Sequence, residues 1–378
     1  MKNDDGIYRR LQRHLDKQAV GFPKTKSGAD IRLLKRLFSP DEAKLALYLS
    51  YRPSRINRVV EKASSEFDSG RTQSLLESML MKGSIGWKKK DGVDHWFVMP
   101  LVIGMYEAQD GVPSRSFLLD AGAYMRTLDF GKSMLAVKPS QMRTIPINES
   151  VSAGHSVAAY DEIRSLIQNA RGPFVAVKCI CREAMAARKK PCTKTARVET
   201  CLGMNDMAEA GLRRGHGREV SREEALDILA QNEKDGLVLQ PANEQKPEFV
   251  CSCCGCCCGM LTMLKMLPRP LDFWTTNFYA EVDPEKCTRC GKCKTRCQAN
   301  AVRWKGPEKP AQINLKRCIG CGLCVTTCPS SAIRLHKKTA ETAPPINEEA
   351  LNDAIMANKK GPLAKTGMLL KVALRIRQ

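Results

Sequence analysis

The chain has 378 residues, more than one ordinary domain holds, so its length predicts two or three domains. A hydrophobic content of 43% is enough to build buried cores, which excludes a wholly disordered chain. The sequence contains no apolar run of the roughly 18–20 residues that a membrane span needs, and residues 1–10 lack the apolar core of a secretory signal. We therefore expect a cytoplasmic protein without integral membrane association.

Charge and cysteine content narrow the class further. Lysine and arginine number 61 against 40 aspartate and glutamate, a formal net charge of +21, which favours an acidic partner, either protein or nucleic acid. The 18 cysteines are too many for a disulfide framework inside a cell, where thiols are kept reduced. Cysteines at short, regular spacings then indicate metal ligands.

The first clear local signals follow residues 1–29, a polar segment that we interpret as an arm. Ser39 is a helix N-cap, with Pro40 in the first turn and Glu42 three residues after the cap. Further elements are predicted by apolar spacing: helices over residues 54–63 and 70–82, and strands over residues 84–88 and 95–99. The two strands flank the Asp91-Gly92 turn.

Three short helices followed by a hairpin resemble the winged helix-turn-helix family, and we interpret residues 30–109 as a winged-helix-like domain. In that family the third helix reads DNA and the hairpin contacts the backbone. The third helix here offers few outward cations, chiefly Arg71 and Lys82, so Lys88–Lys90 on the hairpin are the better candidates for phosphate contacts. The alternative is that the domain is a protein-docking or dimerisation platform and that these lysines form a solvated turn.

The middle of the chain is predicted to be α/β and rich in cysteine. Residues 110–150 carry scattered glycine and proline and are interpreted as a linker. The cysteine-rich domain is assigned to residues 151–276, with a helix near residues 160–170 and a strand over residues 174–178. A second capping box, which begins at Ser221, opens another helix.

One internal repeat dominates the region that follows. The spacing C-x-x-C-x-x-C-x-x-x-C occurs twice, first at Cys287, Cys290, Cys293 and Cys297 and then at Cys318, Cys321, Cys324 and Cys328. Three thiolates with two residues between each and the next can bind three corners of a cubane cluster. Gly291 and Gly322 let the backbone approach the sulfides of such a cluster. Zinc prefers paired C-x-x-C knuckles instead, so the spacing indicates 4Fe-4S clusters.

This repeat resembles the bacterial-type two-cluster ferredoxins, and we assign residues 277–338 to a dicluster domain of that kind. In that family the fourth ligand of each cluster comes from the other repeat. The resemblance therefore implies two ligand sets: Cys287, Cys290, Cys293 and Cys328 for one cluster, and Cys318, Cys321, Cys324 and Cys297 for the other. One departure is Gln298, which stands where the family usually has proline, whereas Pro329 keeps the proline in the second repeat.

Ten cysteines remain outside the repeat: Cys179, Cys181, Cys192, Cys201, Cys251, Cys253, Cys254, Cys256, Cys257 and Cys258. The last six lie within residues 251–258, too densely for a packed core element, so we expect at least one further metal centre, most naturally iron–sulfur. Spacing alone does not say which of the ten bind. The Cys-Cys-Gly triplets at 253–255 and 257–259 resemble the noncubane cluster motifs of heterodisulfide-reductase-type domains, but the partner cysteines of that pattern are not at fitting distances.

Over its length the chain resembles the multi-domain iron–sulfur proteins of anaerobes, with an α+β fold and a tail at residues 339–378. We expect a protein that relays single electrons through two 4Fe-4S clusters, with a third iron–sulfur cluster in the middle region. Its partner would be an oxidoreductase with an acidic docking surface, and an electron carrier is favoured over a stand-alone enzyme, with no catalytic residue predicted. The alternative is a redox- or iron-sensing regulator that binds DNA through the winged-helix-like region.

Overall fold

The computed structural model describes residues 4–109, 113–150 and 158–376. Residues 110–112, where the predicted linker begins, and residues 151–157, where the predicted cysteine-rich domain begins, lie outside the described residues. Among the described residues, no helix is long and apolar enough to cross a bilayer. The fold is mixed α/β and divides into two compact units, one of residues Met1–Lys138, Asn205–Glu219 and Asn352–Thr366, and one of Pro139–Met204, Val220–Leu351 and Gly367–Gln378.

The described residues form fifteen α-helices, which are distributed along the whole described chain. They are α1 Asp4–Lys17, α2 Ala29–Leu37, α3 Pro40–Leu45, α4 Ile56–Ala63, α5 Ser69–Met81, α6 Arg115–Met125, α7 Leu128–Leu135, α8 Ile163–Asn169, α9 Ile180–Ala187, α10 Asn205–Arg213, α11 Arg222–Lys234, α12 Gly259–Met266, α13 Lys292–Arg296, α14 Glu348–Ala357 and α15 Pro362–Ala373.

The strands that the structure describes are short, and seven pairs of them are antiparallel. They are β1 Ser54–Arg55, β2 Ile85–Lys90, β3 Val93–Val98, β4 Phe174–Lys178, β5 Glu199–Met204, β6 Arg218–Val220, β7 Val238–Pro241, β8 Phe249–Cys253, β9 Phe278–Val282, β10 Val302–Arg303, β11 Gln312–Ile313 and β12 Ile333–Lys337.

The first unit begins with a helix where the sequence predicted an arm. Helix α1 packs against α2 and α3, and it buries Tyr8, Leu11 and Leu15. These three residues recur at three- and four-residue intervals on one helix face, but the many charges between them hid the pattern. Residues 1–29 are therefore in part a core element of this unit.

The helices and hairpin predicted between residues 39 and 99 are present. Ser39 caps α3 in a capping box with Glu42, and β1, β3 and β2 form a three-stranded sheet in that order. Lys88 departs from its predicted role, because its side chain is only 3% exposed and its Nζ lies 5.2 Å from the centre of the Phe97 ring. A buried lysine on a strand face is not a solvent-exposed phosphate contact, so that part of the prediction is wrong.

The segment predicted as a linker contains two helices, α6 and α7. Phe117 and Tyr124 of α6 are buried, and Thr127 caps α7 by accepting a hydrogen bond from the Phe130 amide at 3.2 Å. Scattered glycines suggested a flexible connection, although Gly122 lies inside α6 and is itself packed. The N-cap threonine was a signal that could have revealed the second helix.

The second unit is built on the antiparallel ladder β4-β5-β8-β7, against which α11 packs. Strand β4 has the predicted bounds, and Ser221 caps α11 as its capping box predicts. The ladder positions the ten extra cysteines, since β4 leads into α9 and β8 leads into the residue 254–258 loop and α12. In the same unit, β9 pairs with β12 across the two cysteine repeats.

Candidate metal centres

The first repeat contributes three thiols to a cavity whose fourth thiol comes from the second repeat. Cys287, Cys290, Cys293 and Cys328 all line this cavity. Gly291 supplies the tight turn between these thiols, with φ at 72°. A Cβ atom at Gly291 would meet the Trp304 ring at 2.9 Å, so glycine is required for both conformation and space.

The second repeat is arranged in the complementary way. Cys297 of the first repeat is close enough to Cys318, Cys321 and Cys324 to disfavour their ionisation electrostatically. Burial is the larger cause, and together these effects raise the pKa of Cys321 to about 12. The thiols of Cys318, Cys321 and Cys324, which resist ionisation in the free protein, can ionise once a cluster supplies positive iron to share their charge.

Backbone amides point at sulfur in both repeats. Ala301 N donates to Cys297 Sγ at 3.2 Å, and the repeat-related Ala332 N donates to Cys328 Sγ at 3.3 Å. Ala280 N donates to Cys318 Sγ at 3.3 Å. Hydrogen bonds of this kind stabilise negative charge on sulfur, and they are one of the protein's means of setting a cluster's reduction potential.

The two repeats differ in their exposure to solvent. In the first loop Cys290 is exposed, and so are Thr288 and Lys292. The corresponding residues of the second loop, Ile319 and Leu323, are 1% and 0% exposed. The first site therefore faces solvent and positive charge, whereas the second faces the apolar interior.

The structure separates the ten other cysteines into two groups. Four of them, which we call the four-thiol group, have all their sulfur atoms within 4.8 Å of one another: Cys192, Cys254, Cys256 and Cys257. The sulfur of Cys192 lies 3.6 Å from that of Cys254 and 3.7 Å from that of Cys256, although 62 residues separate Cys192 from Cys254 along the chain.

These sulfur–sulfur distances suit one tetrahedral metal ion. With metal–sulfur bonds of about 2.3 Å, the edges of a tetrahedral site are about 3.8 Å long, close to the 3.5–3.7 Å between the contacting sulfurs of the group. Burial raises the pKa of Cys254 to about 11. Burial acts in the same sense on Cys256, but hydrogen bonds from Thr193 outweigh it and lower the pKa of that thiol to about 6. The group thus contains one thiol ready to ionise and neighbours that ionise when metal binds.

The other six cysteines form a closed ring, which we call the six-thiol ring. Each thiol contacts two others, in the order Cys179, Cys181, Cys258, Cys253, Cys251, Cys201 and back to Cys179. Ladder register explains part of this ring, because Leu202 pairs with Val250, which sets the residues Cys201 and Cys251 beside each other. Cys253 lies two residues further along β8 and so on the same face.

Helix ends complete the ring. Cys179 is the N-cap residue of α9 and Cys258 is the N-cap residue of α12, so both lie where free helix amides favour negative charge. The contact with Cys181 lowers the pKa of Cys179, but the contact with Cys201 and burial outweigh it and raise that pKa to about 12. The same ring contacts hold the pKa of Cys201 well below its usual range, since a proton shared around the ring favours one thiolate over its neighbours.

A buried arginine lies among both groups of thiols. Arg182 is 3% exposed, and it donates to Thr200 Oγ1 and to the Ser252 carbonyl oxygen. Burial alone would lower its pKa, but the thiols of Cys179, Cys254, Cys192 and Cys201 raise it well above the usual range. A buried guanidinium is costly unless negative charge compensates it, and metal-bound thiolates would supply that charge.

Gln298 joins the cysteine repeat to the four-thiol group. Its side-chain oxygen accepts a hydrogen bond from Gly255 N at 2.9 Å, and its side-chain nitrogen donates to the Gly236 carbonyl oxygen at 3.0 Å. Gly255 lies between Cys254 and Cys256, and Gln298 directly follows Cys297. The residue that departs from the ferredoxin pattern is therefore the one that fastens the loop of residues 254–258 beside Cys297, which proline could not do.

Comparison with known families supports the assignment of the repeat. Residues 279–335 match the family model described as a 4Fe-4S dicluster domain. No curated protein matches the chain. The chain thus contains an iron–sulfur, ferredoxin-like domain, as the repeat predicted. The matched residues do not include the ten other cysteines.

Sequence reasoning missed the role of one residue and found only half the role of another. Arg182 follows Cys181 directly, but nothing in the sequence indicates that its side chain turns inward among thiols. Gln298 was visible as a departure from the family pattern, yet its two partners become apparent only in the structure.

Proposed function

We propose that the chain is an electron-transfer protein that relays single electrons through two 4Fe-4S clusters to or from a partner oxidoreductase. The observation that carries the proposal is the crossed arrangement of thiols in the dicluster domain. The ligands we assign are Cys287, Cys290, Cys293 and Cys328 for the first cluster, and Cys318, Cys321, Cys324 and Cys297 for the second. When bound, each cluster supplies a centre that takes up and returns one electron without a change in bonding.

The exposed first site is the place where we expect the partner to dock. Lys286, Arg289 and Lys292 are exposed around this loop, and Cys290 itself reaches the surface. Positive charge at this position would steer an acidic partner surface towards the exposed thiol. The chain's surplus of basic residues is consistent with such a partner.

The interior second site supports an onward path into the cysteine-rich region. Gln298, which is 3% exposed, holds the loop of residues 254–258 next to Cys297 through its hydrogen bond from Gly255 N, and it is itself anchored by its hydrogen bond to the Gly236 carbonyl oxygen. A buried, hydrogen-bonded junction of this kind keeps neighbouring centres at a fixed separation. We therefore propose that electrons pass between the dicluster domain and the four-thiol group, which would hold one tetrahedral iron.

The alternative of a DNA-binding regulator gains no support from the first unit. Arg71 of α5 is ion-paired with Asp41 at 2.8 Å, and Lys82 is paired with Glu42 at 2.7 Å. Lys88 of the hairpin is buried. Phosphate binding by α5 would have to break these pairs, so a protein-docking role suits the winged-helix-like region better.

A stepwise reduction of the full-length protein tests the proposal. Protein purified without oxygen would be titrated with dithionite and followed by EPR, and interacting signals from two neighbouring centres are expected because the two ligand sets share both repeats. Cys290→Ser should alter the EPR signal of the first cluster, which Cys290 binds, more than the signal of the second cluster. Tightly bound zinc in place of iron after anaerobic reconstitution would contradict the proposal.

A further inference from the structure

The geometry points to the six-thiol ring as the binding site of a polynuclear iron–sulfur cluster, separate from the dicluster domain and from the four-thiol group. Its ligands would be Cys179, Cys181, Cys201, Cys251, Cys253 and Cys258. The centre is additional to those of the proposed electron-transfer function and does not depend on that function.

The shape of the ring favours a cluster over a single ion. In the described part of the chain, sulfur atoms that all lie within 4.8 Å of one another belong to the four-thiol group, and the ring thiols do not form such a group. Each ring thiol instead contacts its two neighbours around the closed ring. A single tetrahedral ion takes four ligands and a cubane presents four iron corners, so six thiolates suit a larger cluster or one with bridging thiolates.

The surroundings of the ring are built for negative charge. Cys179 and Cys258 are the N-cap residues of the eight-residue helices α9 and α12, and the positive ends of these helix dipoles favour an anion there. The guanidinium of Arg182 lies between the ring and the four-thiol group, since thiols of both groups act on it. Its Nε has no hydrogen-bond partner among the described residues. Arg182 cannot lose its charge, so its burial beside neutral thiols alone would be unfavourable.

Apolar packing does not account for the ring. A buried free cysteine can replace a small apolar side chain, but such a residue contacts apolar neighbours. The ring thiols contact one another instead: the β5–β8 register sets Cys201 beside Cys251, and Cys179, Cys253 and Cys258 are buried. On cluster binding each thiol would give up its proton to solvent and bind iron as thiolate, with iron and sulfide supplied during assembly.

Metal analysis of the full-length protein tests the ring independently of the four-thiol group. A variant with Cys192, Cys254, Cys256 and Cys257 all changed to serine keeps the dicluster domain and the ring. We expect it to hold iron and acid-labile sulfide clearly above the eight of each that two cubanes contain. Eight irons and eight sulfides, or an excess made up of zinc, would overturn the proposal.

Single substitutions in the ring provide a second test of the proposal. Cys201→Ser and Cys253→Ser, placed on different strands, should each lower iron and sulfide together while the EPR signals of the dicluster domain persist. Met204→Leu on β5 is the control, since it changes a buried side chain on the same strand at nearly constant volume. Unchanged iron and sulfide in both cysteine variants, with folding verified by circular dichroism, would overturn the proposal. So would the recovery of the six ring cysteines as disulfides in metal-free protein.

Discussion

The dicluster domain and the ten-cysteine region, by which we mean the four-thiol group and the six-thiol ring together, stabilise negative charge on sulfur in different ways. The dicluster domain stabilises charge on sulfur with backbone amides, such as those of Ala301 and Ala332, and its first loop lies in solvent. The ten-cysteine region uses two helix N-termini and the buried Arg182 guanidinium. Amide donors belong to the main chain, whereas a guanidinium can be removed by one substitution, so the second region should be the more sensitive to mutation.

The largest effect is expected from Arg182→Leu. Loss of the cation would leave the thiolates of the ten-cysteine region without their buried counter-charge, which should cost about 3–5 kcal/mol of the metal-loaded protein's stability. Iron in that region should fall while the dicluster EPR signals remain. Arg182→Lys is the matched control, because it keeps the charge and should retain more iron than leucine. Equal iron in all three proteins would mean that the two regions are not stabilised differently.

A smaller effect is expected from Gln298→Ala. The substitution leaves the Gly255 amide and the Gly236 carbonyl group without their partners, at a cost of about 1–3 kcal/mol. Both regions should keep their metal, but electron exchange between them should slow because the 254–258 loop is no longer held beside Cys297. Gln298→Glu keeps the acceptor for Gly255 and separates that bond from the one to Gly236. A rate unchanged in both variants would show that the junction does not couple the regions.

The smallest effect is expected at the surface of the first loop. Lys292→Glu should slow reduction by an acidic partner protein by up to about tenfold at low salt, and the difference should shrink as salt is added. Lys246→Glu is the control, since it makes the same charge change at an exposed residue outside the loop. If both variants slow the reaction equally, net charge rather than this loop governs docking.

The sequence was informative where the chemistry is local. The repeat spacing identified the iron–sulfur domain, and the Ser221 capping box and the residue 174–178 run predicted their elements correctly. The division of the ten other cysteines could not be predicted in this way. It depends on the β5–β8 register that brings Cys201 beside Cys251, and on the long-range approach of Cys192 to Cys254.

Burial was the other property that local patterns did not reveal. Helix α1 looked polar because charges separate its three core residues, and Lys88 looked exposed because it begins a run of three lysines. In each case the deciding fact is which neighbours cover the side chain, and that is set by tertiary packing.

We propose that electrons move within one chain between the dicluster domain and the ten-cysteine region. Rapid freeze-quench EPR after a substoichiometric pulse of dithionite tests it most directly. We expect dicluster signals to appear first and to decay as iron in the ten-cysteine region is reduced, at a rate independent of protein concentration and slower in Gln298→Ala. A rate proportional to protein concentration, or ten-cysteine iron that is never reduced, would contradict the claim.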